Sequence, residues 1–506
     1  MVQALAPRIS RGWLWGWLLV GLLVATPSTL FAQADSPKGA PKGTQGNSPA
    51  GAPAAKGQPP VKPEAAEAEP LAEAAASKRE TVELFKDPRT EKATANTFPE
   101  LPLPKPTLSP GDLASVQSMA SGQSAPDPTL IRRFVETQAS EMTNHNNIRS
   151  VIDPPANQAI KAASARAIEK ASQEIINLLN TARANKNAAF LTAYQAALAE
   201  KFPPLLSNHL LARIEGSIAL AMAANASMSE LFAKQINDPN QIVWVKLWAA
   251  RGLANATEGG KVLLDVVKST SASASVVGFL EKESDAPWPV KVRMFEALTA
   301  LRIPSSLGVG GKLNIPNLTL GVVADTEARV DVRAAAASTL GAIVVPDSVA
   351  KFNFKLEAYF VGRLAAEIGD RIGAEFDTHE STFAKESDSA RYLTGLLLYP
   401  VYSALGGDEN LRDSGFLRMR HPALTPVMPF IRGLDEQIKN VSQAAMDLIN
   451  AGGAQTKERR GVLATRVSEL KAFLEKNRPD DSALTPDGPK FALPTAQVAG
   501  ANPRSK

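Results

Sequence analysis

The residue types that could bind a metal ion lie together in one polar stretch in the second half of the chain. Glu375, Asp377 and His379 alternate with other residues, and Glu380 follows directly. In an extended segment, residues two apart share a face, so these side chains could offer oxygen and nitrogen ligands to one ion. The other interpretation of the same string is a solvated loop. We predict no metal and no cofactor for this chain.

Two short motifs resemble parts of catalytic sites, and each departs from its pattern. Residues 413–415, Asp-Ser-Gly, have the order found around a serine nucleophile, but Arg412 stands where the tight turn needs Gly. Residues 308–312, Gly-Val-Gly-Gly-Lys, resemble part of a phosphate-binding loop that lacks its first Gly and its final hydroxyl. We therefore predict that the chain is not an enzyme. The alternative is an exported hydrolase or metal-dependent enzyme with a site within residues 375–421.

A third group of residues is suited to binding another polypeptide. Three tryptophans form an aromatic platform for a peptide or glycan in one interpretation, and pack between neighbouring helices in the other. Five basic residues would suit an acidic partner if they face one way, and would otherwise form a solvated helix face. The candidate partner-binding residues are Trp244, Trp248, Trp288, Lys246, Arg251, Lys291, Arg293 and Arg333.

Six of these candidate residues belong to a phrase, a short sequence motif that occurs three times, and Trp244 and Trp288 lie just before two of its copies. Each copy starts with a Val followed by a basic residue and has a Leu eight positions later. The copies start at Val245, Val290 and Val332, which lie 45 and 42 residues apart, and a weaker copy starts at Ala212. The phrase and its period resemble the HEAT repeat of the armadillo-like α-solenoids, in which pairs of antiparallel helices stack in a row. The resemblance implies three to four degenerate units.

The acidic residues before each copy bear on how neighbouring units are held together. In the HEAT family, an aspartate in the turn commonly forms hydrogen bonds with an arginine on the second helix, and these bonds run from one repeat to the next. The basic residue of each copy matches that arginine. Asp238, Asp285 and Asp325 precede the Val of their copies by 7, 5 and 7 residues. We therefore expect the middle turn to be shorter than the outer two.

The composition favours an all-α protein. The chain is 44% apolar but only 6% aromatic, which suits closely packed helices rich in Ala, Leu and Val. A pair of helices that is apolar on both flanks cannot cover both alone, so neighbouring pairs must stack. The fold we expect is an irregular α-solenoid with a C-terminal helical hairpin and a disordered N-terminal linker. The function that the resemblance implies is a non-catalytic scaffold or adaptor that binds an unidentified protein or peptide along the row of second helices.

The first 34 residues have the parts of a secretory signal. Arg8 and Arg11 precede an apolar run, and residues 32–34, Ala-Gln-Ala, match a cleavage site. We expect a periplasmic or extracellular protein, held at the membrane or cell wall only if this segment is retained. Loss of the segment lowers the net charge from +4 to +2, so nothing in the charge favours nucleic acid as a partner. Because the chain has no cysteine, disulfides and thiolate chemistry are excluded.

The remaining boundaries follow from changes in composition and periodicity. Within the last helical part we expect a helix over 355–372, a polar insertion over 373–388, and a helix over 391–405 that breaks at Pro400. A further alternative is an envelope protein that assembles with itself through the hairpin, by way of Leu463 and Leu470. The predicted organisation is a signal peptide at 1–34, a Pro/Ala-rich linker at 35–127, a helical region at 128–224, the repeat block at 225–345, an irregular helical region at 346–425, the hairpin at 426–477 and a disordered tail at 478–506.

Overall fold

The chain folds as α-helices joined by short turns, as the composition predicts. The structure, a computed structural model, describes residues 87, 89, 93–152, 166–256, 264–307, 313–380, 382–383, 387–409, 411–451 and 455–493, all within the unit Glu69–Lys506. In these ranges the regular elements are helical, and β structure is limited to one antiparallel bridge, Ala483–Lys490. The all-α class is therefore confirmed. The predicted signal peptide and the linker up to residue 86 lie outside the described residues.

The helices run in chain order with few irregular elements between them. A π-helical turn, Leu397–Val401, and three short 3-10 helices, Pro203–Ser207, Ala226–Met228 and Pro422–Val427, lie among them. The α-helices are α1 (Pro110–Ala120), α2 (Pro128–Thr143), α3 (His145–Ile152), α4 (Ala167–Ala184), α5 (Ala188–Lys201), α6 (Leu210–Ala223), α7 (Ser229–Asn237), α8 (Val243–Asn255), α9 (Val266–Lys282), α10 (Trp288–Leu301), α11 (Asn314–Ala324), α12 (Val330–Ala342), α13 (Phe354–Thr378), α14 (Asp388–Leu396), α15 (Tyr402–Gly406), α16 (Met428–Asn450) and α17 (Gln455–Lys476).

The three copies of the phrase form the helices α8, α10 and α12, and the weaker copy forms α6. These four second helices lie side by side in chain order, and α7, α9 and α11 each pack on the second helix that follows. The apolar residues of the phrase make this contact, since Val245, Ala249 and Leu253 are at most 2% exposed. Neighbouring pairs thus bury each other's apolar flanks.

The turns inside the three pairs have equal lengths, so the expectation of a shorter middle turn is wrong. Residues 238–242, 283–287 and 325–329 join the helices of each pair. The first residue of each turn is acidic and follows the first helix directly: Asp238, Glu283 and Asp325. In the middle turn this position belongs to Glu283, whereas Asp285 is the third residue of the turn. A glutamate replaces the aspartate, and the spacing is unchanged.

Order begins before Pro128, so the prediction of a disordered linker up to residue 127 is wrong for residues 93–127. This stretch contains α1, whose Val116, Met119 and Ala120 are buried. The Leu101 amide donates to the Thr143 hydroxyl at 2.8 Å, and the Leu101 carbonyl accepts from Ser140 at 2.9 Å. Such side-chain partners satisfy a Pro-rich backbone that cannot form regular hydrogen bonds of its own.

The C-terminal hairpin is present, and it packs on a longer helix than the sequence predicts. The helices α16 and α17 lie against each other and against α13. The helix α13 continues to Thr378, so the polar insertion expected from residue 373 starts as helix instead. The reason is that Asp377 accepts hydrogen bonds of 3.1 and 2.7 Å from Arg460 of α17. Pro400 lies in the π turn between α14 and α15, at the predicted break.

The segment after α17 is also ordered as far as residue 493, which corrects the prediction of a disordered tail for 478–493. Leu484 is completely buried, and its carbonyl accepts from the amide of Asn353 at 2.9 Å. Lys355 donates to the carbonyl of Arg478 at 3.0 Å. The segment thereby covers the beginning of α13. Residues 494–506 lie outside the described residues.

Candidate partner-binding surface

The basic residue of the repeated phrase points into the protein. Lys246 is 4% exposed, with its Nζ 3.8 Å from Glu283 Oε1 and 5.4 Å from the centre of the Phe279 ring. Burial lowers the pKa of Lys246, while the carboxylates of Glu283 and Asp238 act in the opposite direction. Lys246 therefore lies between the acidic residue of its own turn and that of the next turn.

The third copy also buries its basic residue, whereas the middle copy leaves its lysine half-buried. Arg333 is 2% exposed; its Nε donates to the Val323 carbonyl at 3.1 Å and its Nη1 to Glu367 Oε2 at 2.7 Å. Lys291 is half-buried and donates to the backbone carbonyl of Ser284 in the preceding turn. The position therefore ties each second helix to the turns and helices beside it.

In the weaker copy, the basic residue pairs with Asp87, which belongs to the N-terminal segment before α1. Arg213 is fully buried, donates to Gln241 Oε1 at 2.8 Å and forms an ion pair with Asp87, which is 1% exposed. Burial lowers the pKa of Arg213 to about 10, and Asp238 acts in the opposite direction. In this unit the acidic turn position falls on Leu205, which is apolar and buried. Asp87 supplies the carboxylate that the turn lacks.

The contact of Asp87 with the repeats was not foreseen from the sequence. A signal was present, since the weaker copy keeps its basic residue and has no acidic residue seven positions before Ala212. That unmatched charge required a carboxylate from elsewhere. Nothing in the sequence pattern, however, shows which of the many acidic residues supplies it.

The two remaining basic candidates form a cluster with one glutamate across α8 and α10. Arg251 Nη1 lies 3.3 Å from Glu296 Oε2, and Arg293 donates to Glu296 Oε1 at 2.6 Å. Burial raises the pKa of Glu296, but the guanidinium groups of Arg293 and Arg251 outweigh it and hold the pKa below its ordinary value. Arg293 is 7% exposed. The five basic candidates thus form no continuous exposed stripe, and their role in binding a partner stays a prediction.

The three tryptophans differ in exposure. Trp244 and Trp248, one turn apart on α8, are half-buried and pack against the core. Trp288, the first residue of α10, is 37% exposed, and the guanidinium carbon of Arg329 lies 4.7 Å from the centre of its ring. Trp288 is therefore the candidate best placed to contact another molecule.

A pocket of about 240 Å³ lies immediately before Trp288, between the start of α8 and the turn 283–287. Its lining combines apolar and charged residues from the start of α8 and from residues 282–287. The lining residues are Val243, Lys282, Glu283, Ser284, Asp285, Ala286 and Pro287. The pocket and the exposed side chain of Trp288 are therefore adjacent in the described part of the repeat block.

The last helix of the row of second helices, α12, is covered by a later segment of the chain. The segment from α14 to α15 lies on α12, where the Ser403 hydroxyl donates to Ser338 Oγ at 2.8 Å and Tyr392 donates to Asp331. A partner that follows the row would therefore contact α8 and α10 rather than α12.

Two residues of the alternative enzyme site, Ser414 and His421, form hydrogen bonds within the fold. Ser414 is 2% exposed; its hydroxyl donates to the Leu411 carbonyl at 2.7 Å and accepts from the Asp408 amide at 2.9 Å. His421 Nδ1 accepts from the amide of Ala423 at 3.1 Å, and its Nε2 lies 3.1 Å from the carbonyl of Pro346. The Gly-rich residues 308–312 lie outside the described residues.

Further observations argue against the metal-site and self-assembly alternatives. A metal site at these residues would require an extended segment, but residues 375–378 are helical and Asp377 is paired with Arg460. Across the described part of the chain, no three His, Asp or Glu side chains are grouped so as to hold a metal ion. Leu463 and Leu470, on which self-assembly would rely, are fully buried within the hairpin and α13.

No family model, curated protein or solved structure matches this chain. The class that the described residues define is an all-α protein with helix pairs packed in chain order. Within those residues no helix is both long and apolar enough to cross a membrane. The likeness to HEAT repeats rests on the repeated phrase.

Proposed function

We propose that the chain is an exported, non-catalytic scaffold or adaptor built from HEAT-like units, which binds a protein or peptide along its row of second helices. The observation that carries this proposal is that the row already holds one non-repeat segment. Asp87 and Arg89, from the N-terminal part of the chain, pair with Arg213 and Asp238 across the junction of two units. A surface that binds this segment through charge pairs can bind another in the same way.

The exposed side chain of Trp288 supports a protein or peptide as the partner. Trp288 begins α10 beside the pocket, and tryptophans are enriched among the residues that dominate the binding energy of interfaces. The proposed location is periplasmic or extracellular, since the first 34 residues have the composition of a secretory signal. N-terminal sequencing of the exported chain is expected to start at Asp35.

Affinity capture from an envelope extract tests this function. Tagged wild type and Trp288→Ala are compared, with Leu103→Ala as a control because Leu103 is an exposed apolar residue, 51% exposed, outside the repeats. Trp288→Ala is expected to lose proteins that wild type and Leu103→Ala both capture, with circular dichroism showing equal folding. Changing Lys246 or Arg333 instead would be uninformative, because both are buried and their loss would destabilise the fold. The proposal is rejected if the three forms capture the same proteins.

A further inference from the structure

The second helices α8, α10 and α12 end at one edge of the repeat block. Arg251 of α8 and Glu296 of α10 occupy the same position of their copies and lie 3.3 Å apart, so these two helices run parallel. Directly after α10 and α12, the amide of Val344 donates to the carbonyl of Arg302 at 2.9 Å. The connections from α8 to α9, from α10 to α11 and from α12 to α13 therefore leave from the same edge, which we call the connection edge.

The connection edge exposes large apolar side chains on all three connections. Val266 and Val267, at the start of α9, are 67% and 78% exposed, Leu307 is 70% exposed, and Val344 is 50% exposed. Each of these values exceeds the 37% of Trp288 at the start of α10. Single exposed apolar residues are normal on a protein surface, whereas a group of them on one edge marks a binding surface.

Basic side chains lie at the same edge. The loop that follows α15 is held there, because the amide of Gly415 donates to the Gly341 carbonyl at 2.6 Å and His421 Nε2 lies 3.1 Å from the Pro346 carbonyl. This loop carries three exposed arginines. The described basic residues of the connection edge and this loop are Lys268, Arg302, Lys351, Arg412, Arg418 and Arg420, and the acidic residues are Asp265, Asp347, Glu409 and Asp413.

Two of these four carboxylates have partners within the fold. Asp265 caps α9, where it accepts from the amide of Lys268 at 2.8 Å. Asp413 lies 3.3 Å from Arg412 Nε. Burial lowers the pKa of Arg302, and the carboxylate of Asp413 acts in the opposite direction. The fully exposed charges that remain are Asp347 and Glu409 against Lys351, Arg418 and Arg420, so the edge carries a small excess of positive charge.

Apolar side chains at the ends of separate connections suit a lipid surface. A protein partner buries a contiguous patch with a closely complementary shape. The boundary between headgroups and acyl chains of a bilayer instead accepts apolar side chains one at a time, and binding strengthens with the apolar area that enters it. Basic side chains beside them are attracted to the headgroups when the lipids are anionic.

We propose that the connection edge binds the surface of an anionic lipid membrane. Val266, Val267 and Leu307 enter the boundary between headgroups and acyl chains, and Arg418 and Arg420 lie among the headgroups. The inference goes beyond the scaffold function, because Trp288 lies at the start of α10 and the connection edge lies at its end. A protein partner and a membrane would therefore contact opposite edges of the repeat block.

Because the chain has no cysteine, a single reporter can be attached at Leu307→Cys. The purified exported protein is labelled there with a polarity-sensitive fluorophore and titrated with vesicles. Vesicles of phosphatidylcholine are compared with vesicles of an equimolar mixture of phosphatidylcholine and phosphatidylglycerol. Fluorescence is expected to rise with the anionic vesicles at a lower lipid concentration than with the neutral ones. Leu103→Cys is the control site, since Leu103 is 51% exposed outside the repeats, and no rise is expected from it.

Two pairs of substitutions in the labelled protein separate the apolar and the basic contributions. Val266→Ser with Val267→Ser is expected to lower the partition coefficient about tenfold on both kinds of vesicle, because apolar area is lost. Arg418→Glu with Arg420→Glu is expected to lower it about tenfold or more on anionic vesicles and to leave it unchanged on neutral ones. The matched control is Lys457→Glu with Lys471→Glu on α17, whose side chains are 83% and 49% exposed, and binding is expected to be unchanged.

The inference is overturned if the reporter at position 307 responds to neither kind of vesicle, or if the reporter at position 103 responds equally. It is also overturned if the arginine pair and the lysine pair weaken binding to the same extent. If position 307 gives no response while Leu307→Ser loses proteins captured from an envelope extract, the connection edge binds protein instead of lipid. Loss of captured proteins by Trp288→Ala is a separate result, so the scaffold function and the membrane surface can fail independently.

Discussion

In three of the four repeat units the basic residue of the phrase is buried, and its partners differ along the row. Arg213 pairs with Asp87, Lys246 lies between Asp238 and Glu283, and Arg333 pairs with Glu367 of α13. Residues from outside the repeats thus close both ends of this series. The pairs lock units together where an unpaired cation would be costly to bury.

The pair at the N-terminal end gives a stability prediction. Asp87→Ala leaves Arg213 buried without its carboxylate, and removing one partner of a buried pair typically costs roughly 3–5 kcal/mol. The matched control is Asp370→Ala, whose partner Lys471 is 49% exposed, and exposed pairs contribute about 0–1 kcal/mol. Urea unfolding measures both. Equal losses in the two variants would show that residue 87 does not stabilise the repeats.

Glu215 of α6 makes stability depend on pH. Burial raises the pKa of Glu215 to about 7 from its ordinary value of 4.5, and the carboxylate of Glu169 acts in the same direction. The folded state therefore holds this proton more tightly than the unfolded state, so its contribution is complete below pH 4.5 and is lost as pH rises to about 7. Glu215→Gln is expected to flatten the fall in unfolding free energy between these pH values. Identical slopes for wild type and variant would contradict the assignment.

At the scale of elements, α12 packs unusually closely on the segment that covers it. A Cβ atom at Gly341 would lie 2.4 Å from the Cα and 2.5 Å from the carbonyl oxygen of Ala404. Because these neighbours are backbone atoms, the contact cannot be relieved by turning a side chain. The close approach needs glycine at this position.

Gly341→Ala is therefore expected to destabilise the protein by roughly 1–3 kcal/mol, the usual cost of overpacking. Gly278→Ala is the control, since Gly278 lies within α9 and its added Cβ would meet nothing within 4 Å. This control is expected to stabilise by about 0.5–1 kcal/mol through helix propensity. Thermal unfolding compares the two. A Gly341→Ala protein as stable as wild type would mean that α15 does not hold its place on α12.

The sequence predicted helices well where apolar residues recur periodically. It predicted less well the segments whose structure depends on polar contacts with residues distant in sequence. The repeated Val and Leu positions located α8, α10 and α12 because their burial is periodic. The end of α13 was missed because the polar stretch at 375–378 is stabilised by Arg460, which is distant in sequence. The ordered stretch 93–127 was missed because its partners, such as Thr143 and Asn208, leave no periodic pattern.

For the candidate site, the sequence indicated which residue types matter but not which way their side chains point. The recurrence of a basic residue marked a position that matters, but a phrase cannot show whether its cation faces solvent or a neighbouring turn. Trp288 was among the candidates, whereas Glu283 was overlooked because Asp285 was taken as the acidic residue of that turn. The bounds of α9 and α10 make Glu283 the first residue of the turn.

At the scale of the whole molecule, both ends of the row are occupied by other parts of the chain. The N-terminal segment pairs with α6 and the following turn, and the segment from α14 to α15 covers α12. Under the proposed scaffold function, we expect a partner to contact α8, α10 and the turn between α9 and α10. The account therefore predicts a limited binding surface near Trp288.

In-cell photo-crosslinking tests this central claim most directly. A photoreactive amino acid replaces Trp288 in one variant and Lys457 in another, since Lys457 is 83% exposed on the distant helix α17. The account predicts discrete, higher-mass adducts to an envelope protein from position 288 and none of the same mass from position 457. Absence of adducts from position 288, or the same adducts from both positions, would contradict a partner bound along the row of second helices.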